Sequence, residues 1–100
     1  MSEAAFFRMF NPRGIAVVGA NTDITRPGRE TIAALERHGY RGRIYPVNPK
    51  YERIGNQQCL PSIDAIDGPC DVAVIALPAA AVPGTLEQCG RRKIGYVLKR

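Results

Sequence analysis

An α/β domain built on a doubly wound parallel sheet, a single three-layer unit spanning residues 1–100, is the fold this sequence predicts. Three observations carry that expectation. The runs Ile15-Ala16-Val17-Val18 and Asp71-Val72-Ala73-Val74-Ile75-Ala76-Leu77 are apolar almost throughout, as strands buried on both faces of a parallel sheet are. Segments with helical spacing separate strand-like runs, and parallel neighbours require such crossovers, of right-handed sense. At 45% hydrophobic and 23% charged residues the chain has a folding composition, and 100 residues hold one core rather than two.

Each element follows in order. Ile15 to Val18 is the first strand, ending at Gly19. A polar loop, Asn21 to Pro27, leads to a helix over Gly28 to His38 that places Ile32 and Leu35 on one face and stops at Gly39, which tolerates positive φ. Arg43 to Val47 is the second strand, and Pro46, lacking an N–H, predicts either an edge position or a ladder that is already ending there. Asn48-Pro49 turns the chain out of that strand. Signals then weaken: a turn at Gly55-Asn56, a very short strand near Cys59-Leu60, and a short helix capped by Ser62 and running to Ile66.

Asp71 to Leu77 is the strongest strand and Pro78 ends it. Ala80 to Cys89 is the second helix, with Pro83 harmless in its first turn and Gly90 as its stop. Ile94 to Leu98 is the last strand. No internal repeat and no low-complexity segment interrupts this order.

The net charge of +5 invites a nucleic-acid reading, but its distribution argues otherwise. Residues 1–90 are balanced between basic and acidic side chains, and Arg91, Arg92, Lys93, Lys99 and Arg100 supply the whole excess. A basic run with Tyr96 as its one stacking side chain is a solvated face rather than a nucleic-acid platform. Cys59, Cys70 and Cys89 are odd in number, widely spaced and without a CxxC pair, which predicts neither a disulfide framework nor a zinc site and suggests a reducing, cytoplasmic setting. No apolar run approaches the roughly twenty residues of a spanning helix, and the first residues lack the pattern of a secretory leader, so no membrane partner is expected.

Function concentrates after the first strand. Gly19-Ala20-Asn21-Thr22-Asp23-Ile24-Thr25-Arg26-Pro27-Gly28 joins a parallel strand to a helix, the layout of a phosphate cradle. Gly19 permits close backbone approach, the helix start near Gly28 favours an anion, and Arg26 or Arg29 can add charge-assisted hydrogen bonds. The dinucleotide fingerprint GxGxxG is absent, since the next glycine after Gly19 is Gly28, and Asn48-Pro49-Lys50 stands where an acidic residue would hold a ribose. A cation at Lys50 suits a nucleotide carrying an extra phosphate.

Three motifs in order carry a resemblance: Phe10-Asn11-Pro12-Arg13-Gly14-Ile15-Ala16-Val17-Val18-Gly19-Ala20, then Ile44-Tyr45-Pro46-Val47-Asn48-Pro49-Lys50-Tyr51, then Asp71-Val72-Ala73-Val74-Ile75-Ala76-Leu77-Pro78-Ala79. From about Phe7 to Leu98 the chain resembles the Rossmann-like CoA-binding domain of NDP-forming acyl-CoA synthetases, such as the ADP-forming acetate–CoA ligases, relatives of the succinyl-CoA synthetase α-subunit. The resemblance implies coenzyme A as ligand. It further implies that the Gly19 to Gly28 loop, including Ala20 and Asn21, cradles the CoA phosphates. Lys50 would contact the nucleotide end, and Pro78 with Ala79 would lie beside the ligand. Asn21 stands where the family commonly has serine, and it keeps a small polar group.

The same resemblance implies acid–thiol ligase chemistry that this chain alone does not complete. In the family the phosphorylated histidine and the ATP-grasp module lie in further domains, in cis or in trans. His38, beside Gly39, reads as a surface or C-terminal capping residue, and Asp64, Asp67 and Asp71 as helix and turn residues. The expected function is thus a CoA-binding module that is not catalytic alone. The alternatives are a nicotinamide- or other nucleotide-binding Rossmann module, and a truncated domain that binds nothing and self-associates through the sheet edge after Leu98.

Overall fold

The computed structural model describes residues 11–100. Phe10, the start of the first resemblance motif, and the first residues, on which the expectation of no secretory leader rests, therefore lie outside the described residues. The elements are β1 (Gly14–Val18), α1 (Pro27–Arg37), β2 (Arg43–Val47), β3 (Arg53–Ile54), β4 (Gln57–Gln58), a 3-10 turn (Ile63–Ala65), β5 (Val72–Ile75), a second 3-10 turn (Ala79–Ala81), α2 (Val82–Arg91) and β6 (Tyr96–Lys99).

Four strands form one parallel sheet in the order β2-β1-β5-β6, and β3 with β4 forms a separate antiparallel hairpin. The chain runs from β1 to β2 on one side and then crosses back to β5 on the other side of β1, so the switch point falls at the carboxyl ends of β1 and β5. One apolar layer, with Ile15, Val17, Ile32, Ile44, Ile54 and Val74, lies under α1 and the hairpin. The other, with Ala16, Val18, Tyr45, Ile63, Ala73 and Cys89, lies under α2 and the first 3-10 turn. Alternate residues of β1 and β5 serve opposite layers, which is why both strands are apolar without a break.

β2 is an edge strand, the first of the two placements open to Pro46. The Pro46 carbonyl accepts from the Leu60 N–H at 2.8 Å on the side away from β1, while Val17 faces Pro46 in the β1 ladder. The missing N–H would have pointed to that same outer side, so the β1–β2 ladder loses nothing. The parallel bridge Val47–Leu60 is what the expected short strand at Cys59-Leu60 amounts to.

Four details differ from the expectations. The strand expected over Asp71 to Leu77 is shorter, Val72–Ile75. Asp71 is occupied by Arg13, and beyond Ala76 the chain turns into the 3-10 segment after Pro78. The helix expected from Ser62 to Ile66 is a single 3-10 turn, and the Ser62 side chain makes no capping hydrogen bond. Around the foreseen turn at Gly55-Asn56 the chain pairs Ile54 with Gln57 and Arg53 with Gln58, strands too short to show an apolar period.

The fourth difference is the end of α2. Gly90 lies inside the helix, which runs to Arg91 and caps at Arg92. The left-handed residue is Lys93, φ 57°. Its N–H bonds the Gly90 carbonyl and the Ile94 N–H bonds the Cys89 carbonyl, a Schellman pair that buries Ile94 beneath the sheet. α1 ends in the same motif with Gly39 at φ 74°, Tyr40 bonding Leu35 and Gly39 bonding Glu36.

Candidate functional site

The carboxyl edge of the sheet is built on two glycines. Gly19 leaves β1 at φ 86°, and its N–H and that of Ala20 both donate to the Val47 carbonyl, at 3.0 and 3.3 Å. Gly28, in the first turn of α1, is buried against the Gly19 carbonyl, with no room for a β-carbon. This close approach draws the amino terminus of α1 down over the end of β1. Pro27 occupies the first turn, and Arg26, the N-cap, makes no side-chain capping bond. The positive end of the helix thus faces the crevice without a protein side chain capping it.

Asx turns shape the loop between the glycines. Asn21 Oδ1 accepts from the Asp23 N–H at 2.8 Å, and Asp23 Oδ1 accepts from the Thr25 N–H and hydroxyl at 3.0 and 2.7 Å. The Thr25 hydroxyl, and then its amide, hold the Asp23 carboxyl below its ordinary range. A second tie comes from β2: Asn48 Nδ2 donates to the Ala20 carbonyl at 2.8 Å, and Asn48 Oδ1 accepts from the Lys50 N–H at 2.9 Å.

Two hollows flank Gly19. One, of about 300 Å³, lies on the α1 side and is lined by Asn21, Arg26, Gly28, Pro78 and Arg100 among others. The other, of about 280 Å³, lies toward α2, between Asn48, Pro49, Ser62, Thr85 and Gln88. They share Gly19 and Leu77, so together they form a trough across the sheet's carboxyl edge. A roomier hollow of about 480 Å³ lies between α1 and β6, but its wall of Leu35, Tyr40, Val74 and Leu98 is apolar and offers an anion little.

The sequence-predicted residues divide by position. Gly19, Asn21, Arg26, Gly28 and Pro78 line one hollow together, and Ala20 is fully buried beneath the loop. Ala79 is exposed at the start of the 3-10 turn that follows Pro78. Arg29 turns away: its guanidinium lies 3.8 Å from Glu36 and against Gly55 of the hairpin. Lys50 is exposed just past β2, its Nζ 5.6 Å from the centre of the Tyr51 ring, and lines neither hollow.

Arg100, Asn48, Ser62 and Gln88 were not singled out as site residues. For Arg100 a signal existed, because in a parallel sheet every strand's carboxyl end reaches the same edge. Lys99 is in register with Ile75, so Arg100 stands level with Ala76 at the crevice rim.

A glycine-lined trough at a switch point, beneath a helix amino terminus and with two guanidiniums on its rim, defines a nucleotide-binding Rossmann-like domain. Residues 13–98 match the family model described as a CoA binding domain, and the chain belongs to that family. It is 38% identical to acetate–CoA ligase [ADP-forming] II of Archaeoglobus fulgidus across 86% of this chain and 13% of the relative. It is also 38% identical to the α-subunit of acetate–CoA ligase [ADP-forming] II of Pyrococcus furiosus, over 89% of this chain and 19% of that one. A solved structure of a dinucleotide-forming acetyl-coenzyme A synthetase 1 from Ca. Korarchaeum cryptofilum, with phosphate and ADP, superposes with a TM-score of 0.84 at 35% identity, covering 94% of this chain and 20% of that one. The chain thus spans a small part of the length of these relatives.

Proposed function

We propose that this domain holds coenzyme A across the carboxyl edge of its sheet and supplies the CoA site to an NDP-forming acyl-CoA synthetase. The observation that carries the placement is the packing of Gly28 on the Gly19 carbonyl, which sets the uncapped amino terminus of α1 over the end of β1. A diphosphate fits there, because the positive end of α1, with the Gly28 N–H as its first amide, and Arg26 can meet it; Pro27 has no N–H, and the Arg29 and Glu30 amides donate to the Arg26 carbonyl. Asn21 and Pro78 border the same space, and Lys50, exposed past the end of β2, would swing from the Tyr51 ring to meet the nucleotide's extra phosphate.

The chain's own residues bind and orient; they do not carry out the ligation. In a complete ligase of this kind the bound thiol attacks an acyl phosphate, and the phosphohistidine and ATP-grasp domains that make it would act in cis or in trans. His38, exposed at the far end of α1 as its C-cap residue, has no place in that chemistry. The three cysteines are unpaired, which supports a reducing, cytoplasmic setting. Among the described residues no helix is long and apolar enough to cross a membrane.

Calorimetric titration with CoA, dephospho-CoA and NAD tests the reading. Saturable CoA binding, weakened in dephospho-CoA and in Lys50→Ala, is the expected result. A folded chain that binds NAD in preference to CoA would overturn it.

A further inference from the structure

Arg100 is held at the rim of the Gly19–Gly28 hollow by α1 itself. Its Nη1 donates to the Thr31 hydroxyl at 2.9 Å, its Nη2 donates to Glu30 Oε2 at 3.1 Å, and its N–H donates to the Ile75 carbonyl at 2.8 Å. Backbone and side chain are therefore both fixed, one to β5 and the other to the helix whose amino terminus faces the hollow. A guanidinium has five N–H donors. Two are engaged by Thr31 and Glu30, which leaves three for a ligand.

The contrast with Arg26 matters. Arg26 is 70% exposed and 4.0 Å from its carboxylate partner Asp23, whereas Arg100 is 40% exposed and 3.1 Å from Glu30. A guanidinium already oriented loses less freedom when an anion arrives, and its planar fork matches a phosphate's two oxygens. Glu30 offsets part of the charge, but it engages Nη2 alone, and Nε–H with the second N–H of each terminal nitrogen stays available. With Arg29 drawn off to Glu36, Arg26 and Arg100 are the guanidiniums that line this hollow.

We infer that Arg100 is a ligand-contacting residue, the pre-oriented second guanidinium of the phosphate crevice, with Glu30 and Thr31 as its positioning residues. The inference rests on the CoA reading, which it refines by giving the diphosphate a clamp with one cation from the loop and one from the end of β6.

The test is titration of wild type, Arg100→Gln and Arg100→Lys with CoA and with inorganic pyrophosphate, at low and high salt, alongside thermal melts. Expected are wild-type-like melts, CoA affinity about tenfold lower in Arg100→Gln with a flatter salt dependence, and an intermediate affinity in Arg100→Lys, which keeps the charge and loses the fork. Equal CoA affinity in wild type and Arg100→Gln would overturn the inference and leave the CoA reading standing. Pyrophosphate binding that depends on Arg100, without CoA binding, would keep the clamp and remove the CoA reading. Binding of neither ligand by the folded wild type would remove both.

Discussion

The Gly19 carbonyl oxygen occupies the space that a β-carbon on Gly28 would need. The constraint is backbone against backbone, so no rotamer change relieves it. Gly28→Ala must lift the start of α1 off β1, which opens the anion hollow and loosens the packing of Ile32 one turn further on. We expect a loss of about 1–3 kcal/mol in stability, the usual cost of overpacking, together with loss of CoA binding. Chemical denaturation and calorimetry of one variant read both effects, and unchanged binding would show that the close approach does not shape the site.

Gly90 supplies the opposite case. It lies inside α2, exposed, and a β-carbon there would meet nothing within 4 Å. Gly90→Ala should stabilise the domain by about 0.5–1 kcal/mol through helix propensity alone. The left-handed strain sits at Lys93, so Lys93→Gly should also raise the melting temperature, although the added freedom of the unfolded chain reduces the gain. A fall in stability for Gly90→Ala would mean that α2 does not extend to Arg91.

Asp71 links the amino-terminal ends of two central strands. Its carboxylate accepts from the Arg13 backbone N–H at 2.8 Å, from Nε at 3.0 Å and from Nη2 at 2.7 Å. The carboxylate is 8% exposed and the guanidinium 51% exposed, so Asp71 bears most of the desolvation and Arg13 most of the solvent screening. Asp71→Ala leaves those donors without their acceptor, at a cost on the order of 2–4 kcal/mol in urea denaturation. The site lies at the opposite end of the sheet from the hollows, so CoA affinity should hold in whatever fraction stays folded. A weakened affinity in the folded fraction would contradict that separation.

How far the sequence could be read depended on whether a signal was local. Ile15–Val18 and Val72–Ile75 declare themselves because burial on both faces leaves no polar position, and Pro46 marks the edge because its missing donor is tolerated in few other places. Gly90 misled because propensity puts glycine at a helix end, while tertiary packing set the end by where Ile94 could be buried. The glycines of the site were legible from their spacing around a strand-to-helix loop. Arg29 was not distinguishable from Arg26 by sequence, since which of the two faces the hollow depends on helix phase and on the hairpin around Gly55. For Arg100 the signal was the expected last strand of a parallel sheet, whose carboxyl end shares the edge with the others, while the β5–β6 register that sets Arg100 level with Ala76 is a long-range contact that no local pattern records.

Tyr40 carries a dependence on alkaline pH. Its hydroxyl donates to the Pro12 carbonyl at 2.8 Å, and burial first, with the negative charges of Cys70 and Asp71 adding to it, pushes its pKa from 10.0 up to about 12. The folded state thus retains a proton that the unfolded chain releases. Below pH 10 both states are protonated and the contribution is complete; between pH 10 and 12 only the unfolded state has ionised, so stability falls as pH rises and the contribution is gone once the folded-state phenol ionises. Tyr40→Phe should cost about 1 kcal/mol at neutral pH through the lost hydrogen bond and should flatten the decline in this window. The buried Tyr45, also raised by its burial, leaves a residual slope. Urea denaturation of both proteins at pH 8, 10 and 11.5 reads the difference, and parallel curves for wild type and variant would show that Tyr40 ionises as freely in the folded chain as in the unfolded one.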